Sequence, residues 1–97
     1  MYTILYHKSV WERDYKSLNE AEKRKITKYI NQRLTTYPEK YGKALIGNMK
    51  GYHRLRVDSF RVIYRINKSE ITVFIVQVGF RRNAEVYIQA AKRLGLI

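Results

Sequence analysis

The chain has 97 residues, of which 45% are hydrophobic, and this predicts one compact domain spanning residues 1–97. Lysine and arginine together number 20 against 8 acidic residues, giving a formal net charge of +12. Such an excess predicts a nucleic acid, a ribosome surface or an acidic protein as partner. The absence of cysteine excludes disulfides, thiolate metal sites and a cysteine nucleophile. No apolar run could cross a bilayer and the N-terminus does not resemble a signal peptide, so we expect a cytoplasmic protein.

The N-terminal segment combines a strand pattern with a helix-start signal. Residues Tyr2 to His7 alternate weakly and are rich in aromatic and β-branched types, which predicts a strand. Ser9 and Glu12 have the spacing of a capping box, in which each side chain satisfies a free backbone N–H at a helix start. Three apolar residues at helical spacing would form the buried face of this short helix: Trp11, Tyr15 and Leu18.

A second helix is predicted to begin after Asn19, with Glu22 three residues further on. An apolar stripe marks its inner face: Ile26, Tyr29, Ile30 and Leu34. Tyr37 precedes Pro38, which pushes it out of the α region, so the helix should end there. Residues 39–50 read as a loop or a short edge strand around positions 44–46, with glycines as turn points.

Residues 52–64 read as a β-hairpin with its turn at Asp58-Ser59. Side chains alternate between strand faces, so the apolar positions would face a core and four arginines would share the opposite face: Arg54, Arg56, Arg61 and Arg65. A sheet face with that many guanidiniums repels itself unless an anion covers it, and a phosphate backbone is the obvious candidate.

The C-terminal part predicts one further strand and one helix. Residues 71–78 are a nearly continuous β-branched run, typical of a central strand covered on both sides. Asn83 is in position to cap a last helix, whose inward residues would be Val86, Ala90 and Leu94. The order β-α-α-β-β-β-α predicts an α+β fold of two layers, with two helices on one face of a mainly antiparallel sheet and the arginine face open.

Most catalytic devices are missing from the sequence. It contains no paired-carboxylate constellation, no metal-ligand spacing, no phosphate-binding glycine loop and no nucleophile elbow, so neither a metal nor a cofactor is predicted. The acidic residues read as solvated partners of nearby lysines, and His53 reads as a structural histidine at the sheet edge. Arginines interleaved with aromatics remain, which can contact phosphates and stack on unpaired bases.

Several short motifs resemble the RelE/ParE toxin superfamily when taken in order. They are Lys43-Ala44-Leu45-Ile46-Gly47, Tyr52-His53-Arg54-Leu55-Arg56, Phe60-Arg61-Val62-Ile63-Tyr64 and Val78-Gly79-Phe80-Arg81-Arg82-Asn83-Ala84-Glu85-Val86-Tyr87, the last matching the RelE branch. The resemblance implies the toxin of a toxin–antitoxin pair that enters the ribosomal A site and cuts mRNA. It also implies an antitoxin protein that silences the toxin.

The resemblance also suggests site residues. The two basic residues of the first hairpin strand fall on Arg54 and Arg56, and further catalytic positions fall on Arg61, Arg81 and Tyr87. Three more basic residues would bind RNA: Arg65, Arg82 and Lys50. A family basic residue before the loop glycine is replaced here by Ile46, which implies that an accessory RNA contact is missing.

Metal-independent RNA cleavage can use the substrate 2′-OH as the nucleophile. The reaction then needs a base for the 2′-OH, an acid for the departing 5′ oxygen and positive charge around phosphorus. Arg61 and Arg81 are suited to supplying the positive charge. The family usually offers lysines where Arg54 and Arg56 stand, and a guanidinium holds its proton too tightly to act as a base. Tyr87 could be the base or could stack on a codon base, and the base could also come from the ribosome.

Two other functions stay open. A ParE-like toxin would poison DNA gyrase on the same scaffold without cleaving RNA, and such chains are not expected to keep the set Arg61, Arg81 and Tyr87. A degenerate member would only bind its antitoxin or RNA.

Overall fold

The structure, a computed structural model, describes residues 1–80 and 84–97. A five-stranded sheet forms its centre, with the strand order β1-β5-β4-β3-β2. The strands are β1 (Thr3–Tyr6), β2 (Lys43–Ala44), β3 (Tyr52–Val57), β4 (Phe60–Asn67) and β5 (Thr72–Phe80). The neighbours β2 to β5 pair antiparallel, and β1 pairs parallel with β5. The predicted α+β class, the hairpin and the interior position of β5 are therefore confirmed.

Helical segments fill the connections and follow β5. They are a π-helical turn (Val10–Asp14), a 3-10 turn (Tyr15–Ser17), α1 (Glu20–Tyr29) with a π-helical continuation (Ile30–Leu34), α2 (Pro38–Tyr41), a 3-10 turn (Gly47–Met49) and α3 (Glu85–Arg93). The capping box at the start of α1 is confirmed, since Asn19 Oδ1 accepts from Glu22 N at 2.8 Å and Glu22 Oε1 accepts from Asn19 N at 2.9 Å.

The capping box predicted at Ser9 is wrong. Ser9 itself has helical dihedrals and makes no side-chain cap bond, while its N–H donates to His7 Nδ1 at 3.1 Å. The helical segment thus starts before Ser9. Trp11, predicted to be buried, is 52% exposed and lies against the rings of Tyr6 and Tyr15. Tyr15 and Leu18 are buried as predicted.

The larger core lies between one sheet face and the helical segments of the N-terminal half. Ile26, Ile30 and Leu34 come from α1 and its continuation, and they pack with alternate residues of β3, β4 and β5. The strand members of this cluster are Leu55, Val57, Phe60, Val62, Tyr64, Val73, Ile75 and Val78. Burial of this apolar surface supplies the main free energy that holds the layers together.

The opposite face, predicted to be open, is partly covered. A second cluster packs α3 and the Gly47–Met49 turn on it: Met49, Ile63, Val76, Val86, Ala90 and Ala91. A bulge in β5 helps to seat α3, because Ile63 pairs with Gln77 but Tyr64 pairs with Ile75. The extra residue leaves both Val76 and Gln77 facing α3.

A buried ion pair ties α3 to the rest of the molecule. Arg93 donates from Nη1 to Asp14 Oδ2 at 2.8 Å and from Nη2 to Asp14 Oδ1 at 2.9 Å, and the Val78 N–H donates to Asp14 Oδ2 at 2.9 Å. Asp14 is only 9% exposed, so the interpretation of the acidic residues as solvated is wrong for this residue.

Within the two described ranges, no helix has both the length and the apolar character that crossing a membrane requires.

Candidate functional site

The β3–β4 hairpin sets three arginines on one face of the sheet. Arg56 lies directly opposite Arg61, and Arg54 lies opposite Ile63, so all four side chains project to the same side. The strands are joined by Asp58 and Ser59, and Asp58 adopts φ +53°, a conformation that aspartate tolerates in two-residue hairpin loops. The tight turn therefore fixes the register, and the register brings the three guanidiniums together.

Two elements outside the hairpin, one before it and one after it in the chain, close these arginines into a cavity of about 600 Å³. One wall is β2 with the Gly47–Met49 turn, and the other is the start of α3, where Ala84 and Tyr87 reach the cavity. The described residues that line it are Lys43, Ala44, Leu45, Ile46, Asn48, Met49, Arg54, Arg56, Arg61, Ala84 and Tyr87. We call this cavity the arginine cavity.

Among the described residues that line the arginine cavity, Arg61 is the most buried cation, with only 6% of the residue exposed. Its Nη1 donates to the carbonyl oxygens of Asp58 at 3.1 Å and Phe60 at 2.9 Å. Both bonds come from one nitrogen, so they leave the Nε and Nη2 donors for another partner. Gly79 of β5 lies opposite Arg61, and a Cβ there would come within 3.2 Å of Val86 Cγ2 of α3. The missing side chain thus lets α3 pack beside Arg61.

The surroundings of Arg61 disfavour its positive charge. Burial is the main factor that lowers the pKa of Arg61, and the charges of Arg56 and Arg54 lower it further, while Tyr87 acts in the opposite direction. Arginine starts from so high a pKa that it stays protonated at neutral pH. The arginine cavity therefore holds a cation at an energetic cost, which an anion bound beside it would relieve.

Arg54 is half-buried and Arg56 is exposed, and no acidic residue belongs to the described lining. A second cavity of about 680 Å³ lies beside α3 around the Asp14–Arg93 pair, and carboxylates and cations both line it. The arginine cavity is the smaller of the two but is the one with a single sign of charge, so it is the better site for an anion.

Not every predicted site residue reaches the arginine cavity. Arg65 is exposed on β4 opposite Tyr52, beyond Ile63, and does not line it, so the prediction that four arginines lie together holds for three. Lys50 is exposed after the Gly47–Met49 turn and is also outside the lining. The predictions for Arg81, Arg82 and the Asn83 cap lie outside the described residues.

Lys43 is a cationic lining residue that is absent from the site residues predicted from the sequence. The β2–β3 register places it directly opposite Arg54, so both side chains project to the same face. The sequence predicts a loop or a short edge strand around Lys43, and a strand of only two residues gives no periodic signal that would assign a face to its side chain. Ile46 is 87% exposed in the same wall. His53 instead stacks on Tyr64, with ring centroids 5.6 Å apart, and lies outside the cavity.

Comparisons with known proteins agree with this architecture. The family described as "ParE toxin of type II toxin-antitoxin system, parDE" matches residues 4–85. A curated relative, "mRNA interferase toxin RelE" of Escherichia coli (strain K12), is 37% identical over 41 residues, which are 42% of this chain. The match spans 43% of the length of that relative.

Solved structures of RelE toxins have the same fold. The RelBE2 toxin–antitoxin complex of Mycobacterium tuberculosis matches with a TM-score of 0.77 and 26% identity, covering 84% of this chain and 93% of that chain. A mutant of E. coli toxin RelE in the free state matches with a TM-score of 0.74 and 23% identity, covering 96% of this chain and 97% of that chain. Because the identity is only 23%, the similarity to the E. coli structure shows a shared fold and nothing about function.

The resemblance to the RelE/ParE superfamily is thereby confirmed, and the chain belongs to the family of ParE toxins of type II toxin–antitoxin systems.

Proposed function

We propose that this chain is the toxin of a toxin–antitoxin pair and an endoribonuclease that cleaves mRNA in the ribosomal A site without a metal ion. The observation that carries the proposal is the arginine cavity, in which Arg54, Arg56 and Arg61 face Tyr87 with no acidic residue in the described lining. An RNA phosphate supplies the negative charge that such a site requires. The name of the curated relative, an mRNA interferase, supports the same reaction.

The chemistry is an in-line displacement at phosphorus. The 2′-oxygen attacks the adjacent phosphorus, the bond from phosphorus to the 5′-oxygen breaks, and the products are a 2′,3′-cyclic phosphate and a 5′-hydroxyl. The Nε and Nη2 donors of Arg61 are suited to the phosphoryl oxygens, where negative charge grows in the transition state. Arg81 is proposed as a second such donor from the family resemblance. These guanidiniums do the electrostatic work that a metal ion does in other nucleases.

Two protons must also move, one from the 2′-OH and one to the 5′-oxygen. Arg54 and Arg56 orient and neutralise the phosphate, because a guanidinium does not readily give up its proton. Tyr87 lies at the α3 wall of the arginine cavity, where its hydroxyl can accept the 2′-OH proton or its ring can stack on a base.

The whole chain is proposed to act as one domain in the cytoplasm, on ribosomes carrying mRNA. Arg65, Lys50 and Arg82 are proposed to bind RNA outside the arginine cavity, where they would affect affinity more than rate. The net charge of +12 suits an acidic antitoxin, and the M. tuberculosis relative is a toxin–antitoxin complex.

The test is a cleavage assay with programmed ribosomes, in which the mRNA ends are mapped. Replacing one donor to the developing charge costs roughly 10²–10³-fold in rate, so Arg61→Met should slow cleavage by about that factor. Methionine keeps an unbranched apolar stem in the buried position, and a thermal melt checks that the variant is folded. Arg24→Ala is the matched control, since Arg24 is exposed on α1, which packs on the other sheet face.

Intact message at every concentration of folded wild-type protein would refute the nuclease. A gyrase supercoiling assay run in parallel identifies the alternative, since inhibition of supercoiling with intact message would assign a ParE-like activity. Equal rates for wild type and Arg61→Met would show that cleavage does not depend on the arginine cavity.

A further inference from the structure

The proposed reaction lacks a donor for the proton that the 5′-oxygen must receive. Lysine can supply such a proton, whereas the guanidiniums of Arg54 and Arg56 hold theirs too tightly. Among the described residues that line the arginine cavity, the one lysine is Lys43. Its side chain starts beside that of Arg54, because the two residues are directly paired across β2 and β3.

We propose that Lys43 is the general acid of the proposed cleavage reaction, an inference that rests on the proposed function. As the bond between phosphorus and the 5′-oxygen breaks, the Lys43 ammonium transfers a proton to that oxygen, which leaves as a hydroxyl. Lys43 is left neutral and regains a proton from water. Arg54 and Arg56 hold the phosphate during this step and exchange no proton.

Contacts on both sides of Lys43 hold its backbone in place, and a proton donor must be held in this way relative to its substrate. Gly42 precedes it, and a Cβ at Gly42 would come within 1.7 Å of the Tyr64 Oη, so only glycine fits there. The buried Tyr64 hydroxyl donates to the Pro38 carbonyl at 2.5 Å. On the other side, the Leu45 N–H donates to the Tyr52 carbonyl at 2.9 Å. An edge strand of two residues is thus anchored at each end.

The side chain of Lys43 is also available. It is exposed, and it forms no salt bridge among the residues that the structure describes. Other lysines are committed elsewhere, Lys25 to Asp58 and Lys68 to Glu39. An ammonium with no carboxylate partner at the mouth of a cationic cavity can meet the substrate directly.

The test compares two substitutions and two substrates in the ribosome assay. General acid catalysis contributes roughly 10²–10⁴-fold, so Lys43→Ala should lower the single-turnover cleavage rate at least about 100-fold. Lys43→Arg keeps the positive charge but holds its proton, so it should remain nearly as slow as Lys43→Ala. Lys40→Ala, which removes an exposed lysine outside the arginine cavity, should cleave at the wild-type rate.

A message with sulfur in place of the bridging 5′-oxygen at the cleavage point separates proton donation from charge. A thiolate leaves without a proton, so Lys43→Ala and wild type should cleave this message at rates within a few-fold of each other. Full recovery of rate in Lys43→Arg, or an undiminished defect of Lys43→Ala on the sulfur message, would overturn the inference while leaving the nuclease proposal intact. A wild-type protein that cleaves neither message would overturn both.

Discussion

The Asp14–Arg93 ion pair offers the sharpest test of how α3, and with it Tyr87, is held in place. The side chains are 7% and 13% exposed, and the carboxylate receives both guanidinium nitrogens as well as the Val78 N–H. Arg93 Nη1 also donates to the Val76 carbonyl at 3.0 Å. Removing either partner leaves a buried charge without its counter-ion.

The cost of breaking such a pair is large for a domain of this size. Removal of one partner of a buried ion pair costs about 3–5 kcal/mol. The free energy of unfolding of a small domain is about 5–15 kcal/mol in total. For a domain near 100 residues, 1 kcal/mol corresponds to about 4–8 °C, so Asp14→Ala should lower the melting temperature by about 12 °C or more.

A double-mutant cycle isolates the pair from other effects of the substitutions. The free energy of unfolding is measured by urea denaturation for Asp14→Ala, Arg93→Ala and the double variant. The double variant should lose about as much free energy of unfolding as either single variant does. The matched control is the exposed pair of Lys25 and Asp58, with side chains 47% and 59% exposed. Lys25→Ala and Asp58→Asn should show a much smaller coupling free energy, because solvent screens the charges of an exposed pair. If the losses in free energy of unfolding from Asp14→Ala and Arg93→Ala simply add in the double variant, the two side chains are not coupled and the prediction is refuted.

Three further predictions concern strain, pH and anion binding. Ile71 adopts φ +54° and is 51% exposed, so Ile71→Asn should relieve strain and raise the free energy of unfolding by about 1 kcal/mol; an unchanged or lower melting temperature would contradict this. Burial lowers the pKa of His53, so the unfolded chain binds the proton more readily and stability should fall as the pH drops below about 6.5. Urea unfolding across this pH range should show a shallower fall in His53→Gln, and an identical slope would exclude His53 as the cause. An uncleavable RNA analogue at about 100 times its dissociation constant should stabilise the wild type by about 2.7 kcal/mol in a thermal melt. The RNA analogue should stabilise Arg61→Met much less than the wild type. Equal stabilisation of the two proteins would show that the RNA binds outside the arginine cavity.

Local signals in the sequence predicted the elements that depend only on neighbouring residues. The capping box of Asn19 and Glu22 is found because both partners lie within one turn, and the hairpin is found because its alternation continues through a two-residue turn. The same reasoning failed at Ser9, which has a cap-like spacing but sits inside a helical segment. Spacing alone does not report the backbone conformation of the capping residue.

The candidate site was predicted in part. The alternation of β3 and β4 correctly put Arg54, Arg56 and Arg61 on one face, since this follows from strand geometry. It did not predict that Arg61 is buried or that Arg65 lies outside the arginine cavity. The extent of the site depends on α3 and β2, and no pattern within the hairpin specifies how these two elements pack or pair beside it. Roles for Arg81 and Arg82 stay predictions.

The sequence by itself determined the composition of the site: a strongly cationic chain, an arginine-bearing hairpin and a helix carrying Tyr87. The tertiary structure decided which groups meet. Asp14 reaches Arg93 across 79 positions, and Lys43 joins Arg54 through a two-residue edge strand. The first contact depends on how the N-terminal helical segment and α3 pack beside the sheet, and the second depends on the pairing of a strand too short to show alternation. Neither contact leaves a periodic trace in the chain.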